Sequence, residues 1–259
     1  MSGNSKRVVV LQPRDRKLFS ELANMRVVDR EQASAVAPFT STSRANARLL
    51  ALTEAGYLRR TFVGTIYGGR KAVYLLSKKG IATPETSAGE VSRSAGKSSY
   101  RELFLEHQIR VNDIYIWVKH TAIPQENCRF HRWISFTGIL TKAHLLIPDG
   151  YFEIAQDSAV KSWFLEVDQG TEALRIWQKK IDAYLRFAVS GEFGKLFGQS
   201  QFKVLVIAPS DRRGESIRQI AAKSTDKIFR FASFQTINRE GFWSSIWQKP
   251  REDQRESLL

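Results

Sequence analysis

The chain has 259 residues, a net charge of +14 and a pI near 10.0. Its 42% hydrophobic and 11% aromatic content can fill a core, which excludes global disorder. Cys128 is the single cysteine, so an intrachain disulfide is excluded; no Cys/His cluster has zinc spacing, and no run of 18 apolar residues occurs. The opening Ser2-Gly3-Asn4-Ser5-Lys6-Arg7 lacks the apolar centre of a signal peptide, so a cytoplasmic protein with no membrane role is expected. The surplus of cations favours a polyanionic partner. Residues 1–80 hold 15 Lys+Arg against 5 Asp+Glu, whereas residues 81–259 hold 25 against 21. The first third is therefore the expected electrostatic footprint.

In chain order, residues 10–82 read as a winged helix-turn-helix. Leu18, Phe19 and Leu22 sit at helical spacing within a helix expected from Arg14 to Asn24. A short helix from Arg30 to Ala37 ends at Pro38. Thr40, Ser41 and Thr42 offer oxygens to cap a third helix, which runs to Ala55 before Gly56. Ala45, Leu49 and Leu52 mark its buried stripe, leaving Arg44, Asn46, Ala47 and Arg48 off it. A strand over Tyr57–Ile66, a turn at Tyr67-Gly68-Gly69-Arg70 and a strand over Lys71–Leu76 make a hairpin with cations Arg70 and Lys71 at its tip. The pattern resembles the winged-helix superfamily. That resemblance implies that the N-terminal part of the third helix faces base edges, with Arg44, Asn46 and Arg48 as candidates. It also implies that Arg70 and Lys71 reach phosphates or the minor groove of double-stranded DNA. A wing used for protein contacts or dimerisation is the alternative.

Residues 83–99 are small and polar and read as a linker, and residues 248–259 as a frayed polar tail. The second domain is expected over 100–247. Its elements are a helix Tyr100–Lys119, strands near Cys128–Phe136, His144–Ile154 and Val160–Asp168, a helix Thr171–Val189, a strand Phe202–Ala208, a helix Arg213–Lys223 and a strand Ile228–Phe234. The order αβββαβαβ defines an α/β (α+β) domain with a mixed central sheet flanked by helices.

Three carboxylates stand out. Side chains alternate along a strand, so Glu166 and Asp168 point the same way. Asp149 follows Pro148 where the preceding strand bends. Carboxylates brought together need a cation or a proton to compensate them, and an all-oxygen set of Asp149, Glu166 and Asp168 suits Mg²⁺ or Mn²⁺. Pro148-Asp149, Glu166 seventeen positions on, and Asp168 two further resemble the PD-(D/E)XK nuclease superfamily. The resemblance implies a metal-binding pair of acids and a lysine that orients the attacking water; this chain carries Asp168 at the lysine position. Lys180 falls within the apolar stripe Ala173, Ile176, Trp177, Tyr184 and Phe187 of the next helix. It either snorkels to solvent or reaches the carboxylates and replaces that lysine.

Taken together, Glu106-His107, Leu146-Ile147-Pro148-Asp149, the run Glu166 to Glu172 and the run Gln178 to Tyr184 resemble the replication-relaxation family of plasmid and mobile-element proteins. That family pairs a winged helix with a nuclease-like domain. His107 shares a stripe with Leu103, Val111, Ile114 and Val118, as a core histidine or an outer partner of the acidic cluster. Thr171 reads as a helix cap. Three functions stay open. The first is a DNA-binding protein of replication or mobilisation with a non-cutting second domain, working with a second copy or other replication proteins. The second is a Mg²⁺-dependent endonuclease through Asp149, Glu166, Asp168 and Lys180. The third is a transcriptional repressor.

Overall fold

A computed structural model describes residues 9–64, 68–86 and 102–259. The chain divides into two units, 1–121 and 122–259.

The first unit begins with α1 (Pro13–Met25), whose leading proline suits a first helical turn where no amide donor is needed. It buries Leu18, Phe19 and Leu22. A two-residue strand β1 (Val28–Asp29) follows, which the composition of this stretch does not announce. Asp29 then caps α2 (Arg30–Val36), accepting from the Gln32 amide. Ser41 caps α3 (Thr42–Glu54), and Ala45, Leu49 and Leu52 form its buried stripe. Gly56, at φ +78°, turns the chain out of the helix. Strands β2 (Leu58–Gly64) and β3 (Arg70–Leu76) pair antiparallel, and the sheet order is β1-β3-β2. The order of helices and strands is that of a winged helix. Tyr67, in the expected turn, lies outside the described residues. A four-residue helix, α4 (Lys78–Ile81), closes the hairpin.

Two boundaries differ from expectation. Residues 83–86 are packed structure: Thr83 and Thr86 are buried and a 3-10 turn spans Pro84–Thr86; residues 87–99 lie outside the described residues. Helix α5 (Glu102–Lys119) belongs to the first unit, so the second domain does not begin at 100. The reason is chemical. Leu105 joins Val27, Val63, Val73 and Leu75 in a small core under the wing. Asn112 donates to the carbonyls of Met25 (3.1 Å) and Val27 (2.5 Å), satisfying backbone groups at the α1–β1 junction. Glu21 on α1 meets Tyr115 (2.6 Å) and Lys119 (2.9 Å). The buried stripe of α5 runs through Leu105, Val111, Asn112 and Tyr115; Leu103 is exposed, and His107 is half-buried within this unit.

The second unit is built on a seven-stranded sheet whose strands lie, from one edge to the other, in unbroken chain order. Strands β4 (Cys128–Ile134), β5 (Gly150–Gln156) and β6 (Ala159–Val167) form an antiparallel meander. Helix α6 (Leu174–Val189) crosses over, α7 (Glu192–Phe197) turns back, and β7 (Lys203–Ala208) pairs parallel to β6. Helix α8 (Asp211–Ser224) leads to β8 (Phe229–Ser233), also parallel, then α9 (Phe234–Glu240). The mixed α/β class is as expected, without the leading helix. An aromatic core of Tyr151, Phe164, Tyr184, Phe187, Phe193 and Phe202 lies between sheet and α6.

Three local readings are corrected. β5 starts at Gly150, not His144, because the loop before it turns through Leu145 at φ +49° and Pro148. Thr171 does not cap α6: the helix starts later, with Ala173 at the cap position and no side-chain cap bond. The C-terminal segment is not frayed. β9 (Trp247–Gln248) pairs with β10 (Arg255–Glu256), Leu258 is buried, and Glu256 meets the buried Arg230.

Candidate functional site

Two places carry chemistry. In the first unit, the wing hairpin has two faces, because successive strand residues alternate. Val63, Val73 and Leu75 face the α5 core. Arg60, Phe62 and Gly64, opposite Tyr74, Ala72 and Arg70, form the other row. Arg60, Arg70, Ala72 and Tyr74 of that row and Asn46 and Leu50 of α3 line a groove of about 480 Å³, together with Arg30, Glu31 and Lys71. Arg44 is exposed at the start of α3 and bonds Thr40 at 2.9 Å. Among the described residues, no carboxylate pairs with Arg44, Arg60 or Arg70. The guanidiniums of Arg60 and Arg70 lie over the Phe62 ring, at 4.9 and 5.7 Å.

Two of the expected contacts are already engaged within the protein. Arg48 turns inward: its Nε is 3.0 Å from the fully buried Asp15, and its Nη2 donates to the Val10 carbonyl at 2.7 Å. The hydrogen bonds to Asp15 hold the Arg48 pKa up, so it is a structural pair. Lys71 sits 2.5 Å from Asp29 and 3.4 Å from Glu31. Burial works to lower the Lys71 pKa, but those two carboxylates outweigh it and raise it. Arg70 and Lys71 both line the groove, but of the two only Lys71 is held by carboxylates among the described residues. Arg60 and Phe62 were missed by sequence reasoning; the same alternation, counted back from Arg70 across the hairpin, would have found them.

In the second unit, the β5–β6 register places Gly150 opposite Leu165. Asp149 therefore lies beside the end of β6: its amide donates to the Leu165 carbonyl (3.0 Å), and its carboxylate accepts from the Val167 amide (2.7 Å). Gly150 is required here, since a Cβ would fall 2.8 Å from the Trp133 ring. Glu166 is 2% exposed and points at α6. Lys180 donates to one of its oxygens at 3.1 Å, and the Tyr184 hydroxyl to the other at 2.6 Å. Burial pushes Glu166 up to about 7, helped by the nearby Asp149 charge and opposed by Lys180. Burial acts to lower Lys180, but Glu166, Glu172 and Asp149 hold it above its ordinary value; its ammonium is 3.1 Å from Glu172 and lies 4.8 Å over the Trp177 ring. Lys180 thus reaches the carboxylates. A cleft of about 550 Å³ opens beside it, lined by Leu145, Ile147, Glu166, Ile176, Lys179 and Arg186 among others.

Asp168 is not part of that group. It is 1% exposed, and Arg213 of α8 grips it through Nε (2.7 Å) and Nη2 (3.2 Å). The Trp177 indole (3.3 Å) and the Gly170 amide (3.0 Å) complete its shell. With both oxygens committed to a guanidinium, Asp168 does not fit as a metal ligand. Among the described residues, no three acidic, histidine or cysteine side chains are gathered as a metal site. The donor chemistry that remains for a cation is the Asp149 and Glu166 pair. Arg213 lies 45 residues from Asp168, a separation no local spacing could have signalled.

The order of elements and this juxtaposition define a winged-helix protein joined to a mixed-sheet domain with a carboxylate–lysine cluster at a strand end. The chain belongs to the replication-relaxation family, which it matches over residues 19–198, and so is replication-related. That span includes Asp149, Glu166, Asp168 and Lys180, while Arg213 lies beyond it. No curated protein and no solved structure matches the chain. Among the described residues, no helix is long and apolar enough to cross a membrane.

Proposed function

We propose that this is a DNA-binding protein serving replication or mobilisation of a plasmid or mobile element, with the α3–wing groove as its duplex contact. One observation carries the reading. Arg60 and Arg70 line a groove with Asn46 and Leu50, Arg44 is exposed at the start of the same helix, and no carboxylate among the described residues pairs with these three arginines; Glu31, which also lines the groove, is taken up by Arg30 and Lys71. Cations held without a paired carboxylate on a concave surface attract phosphates, and an asparagine among them can read an adenine edge. Lys71 also lines the groove, held there by Asp29 and Glu31. In the second unit, Lys180 and Arg213 neutralise the acidic side chains, which favours a non-cutting domain.

The test is enrichment of a random duplex pool on the full chain. A recurring motif is expected, and Asn46→Ala should relax preference at one position by about 1–3 kcal/mol. Failure to bind any duplex at low salt would refute the reading.

A second reading, metal-dependent phosphodiester cleavage, is favoured by Lys180 lying against Glu166 beside an open cleft. Asp149 and Glu166 would hold Mg²⁺ or Mn²⁺, which would supply Lewis-acid polarisation of a phosphate. Incubation of supercoiled DNA with either metal decides it. Nicking abolished by Asp149→Ala and Glu166→Ala together supports cleavage; intact DNA supports the non-cutting reading.

A further inference from the structure

The centre of the wing's outer face is an aromatic ring. Phe62 is 40% exposed, at the midpoint of the row Arg60, Phe62, Gly64, with Ala72 opposite it. A phenyl ring in water is unfavourable, yet alternation along β2 puts it there, because Val63, the next residue, is buried against α5. The ring is bracketed by two guanidiniums, one from each strand of the hairpin. Leu50 of α3, 43% exposed, lines the α3–wing groove together with Arg60, Arg70 and Ala72, the residue opposite Phe62.

A duplex offers this row phosphates and sugars, which satisfy Arg60 and Arg70 but give the ring nothing to stack on, because paired bases are already stacked on each other. An unpaired base is different. It presents a free π-face, and aromatic side chains set among cations are how single-stranded nucleic acid is held. The guanidiniums that now cover the ring are those that phosphates would draw away. At an exposed site their contact with a ring is weaker than stacking of a base on it. Charge complementarity makes the occupant a polyanion, and the ring makes it one with an exposed base.

We infer that Phe62 is a stacking platform for an unpaired base, so that the DNA taken by the α3–wing groove carries a single-stranded segment next to its duplex. This rests on the reading of the groove as a DNA contact. It adds a substrate class that neither the family match nor the carboxylate cluster supplies: a tailed or forked end rather than an uninterrupted duplex.

The test compares the full chain on two DNAs of the same duplex sequence, one blunt and one with a short single-stranded tail carrying 2-aminopurine beside the junction. The wild type should bind the tailed DNA at least about tenfold more tightly, with the 2-aminopurine fluorescence changing on binding as the base restacks. Phe62→Leu keeps an apolar side chain but no π-face, and should bring the ratio of the two affinities close to one. Phe62→Trp should keep the ratio. Equal binding of both DNAs by the wild type, or a preference that survives Phe62→Leu, would overturn the inference while leaving duplex binding intact. Binding of neither DNA would overturn the groove reading and this one with it.

Discussion

At Asp168, one residue decides how the carboxylate cluster is understood. Glu166 and Asp168 do share a strand face, as alternation requires, yet two positions move a side chain far enough along the strand to change its partner from α6 to α8. Arg213 supplies two parallel hydrogen bonds, a geometry that a single ammonium such as Lys180 cannot copy. Removing Arg213 would leave a buried charge without compensation. Arg213→Ala should therefore lower unfolding free energy by about 3–5 kcal/mol, read from urea denaturation. Replacing Asp168 and Arg213 together by apolar residues should cost less than Arg213→Ala alone; a larger loss would argue against a simple buried pair. Asp113 on α5 offers a test by pH. Burial is the main cause that lifts its pKa from the ordinary 3.8 to about 6, with the Asp29 charge adding and the Gln32 hydrogen bond opposing. The folded value lies above the unfolded one, so the folded state binds the extra proton between those limits. The stability this group contributes is fully present below about pH 4 and is lost as pH rises through about 6. Asp113→Asn keeps an acceptor for Gln32 and removes the charge. It should raise Tm at pH 7 and lose that advantage near pH 4. A gain of the same size at both pH values would show that the charge is not the cause.

At the scale of elements, α5 shows what a sequence pattern conveys and what it leaves out. Its existence and ends were legible from composition. Its allegiance was not, because an apolar stripe says that a helix is covered without saying by what. The deciding groups were polar: Asn112 seeks two backbone carbonyls at a bend, and Glu21 seeks Tyr115 and Lys119. Leu105→Ala should destabilise the first unit by about 2–5 kcal/mol, since it opens a cavity under Val63 and Val73. Hydrogen exchange of the wing amides would record the loss, and protection unchanged in β2 and β3 would contradict the packing role. The helices of the winged helix were legible within a residue or two because Pro38, Ser41 and Gly56 punctuate them. Strands β1, β9 and β10 are two residues long, too short for any period to register. At the cluster, Asp149, Glu166 and Lys180 could be picked out from strand alternation and helical phase. Tyr184 was read only as core, and Arg213 required the parallel β6–β7–β8 crossover to bring α8 beside Asp168.

For the whole molecule, the uneven charge of the sequence has a structural counterpart. Many cations are consumed internally: Arg48 by Asp15, Lys71 by Asp29, Arg213 by Asp168, Lys180 by Glu166. Arg60 and Arg70, which line the groove, and Arg44, exposed at the start of α3, are cations that no carboxylate among the described residues engages. A count of Lys and Arg locates the footprint in residues 1–80 but cannot separate these two kinds, because pairing depends on strand face and helix phase. The measurement that bears most directly on DNA binding at this groove is the salt dependence of duplex affinity for the wild type and an Arg60→Ala/Arg70→Ala double variant. The logarithm of the affinity should fall linearly with the logarithm of salt concentration, and the double variant should show a slope shallower by ~1.8, about 0.9 for each lost phosphate contact. An unchanged slope in that variant, or the same loss produced instead by Lys179→Ala and Arg186→Ala in the second unit, would contradict it.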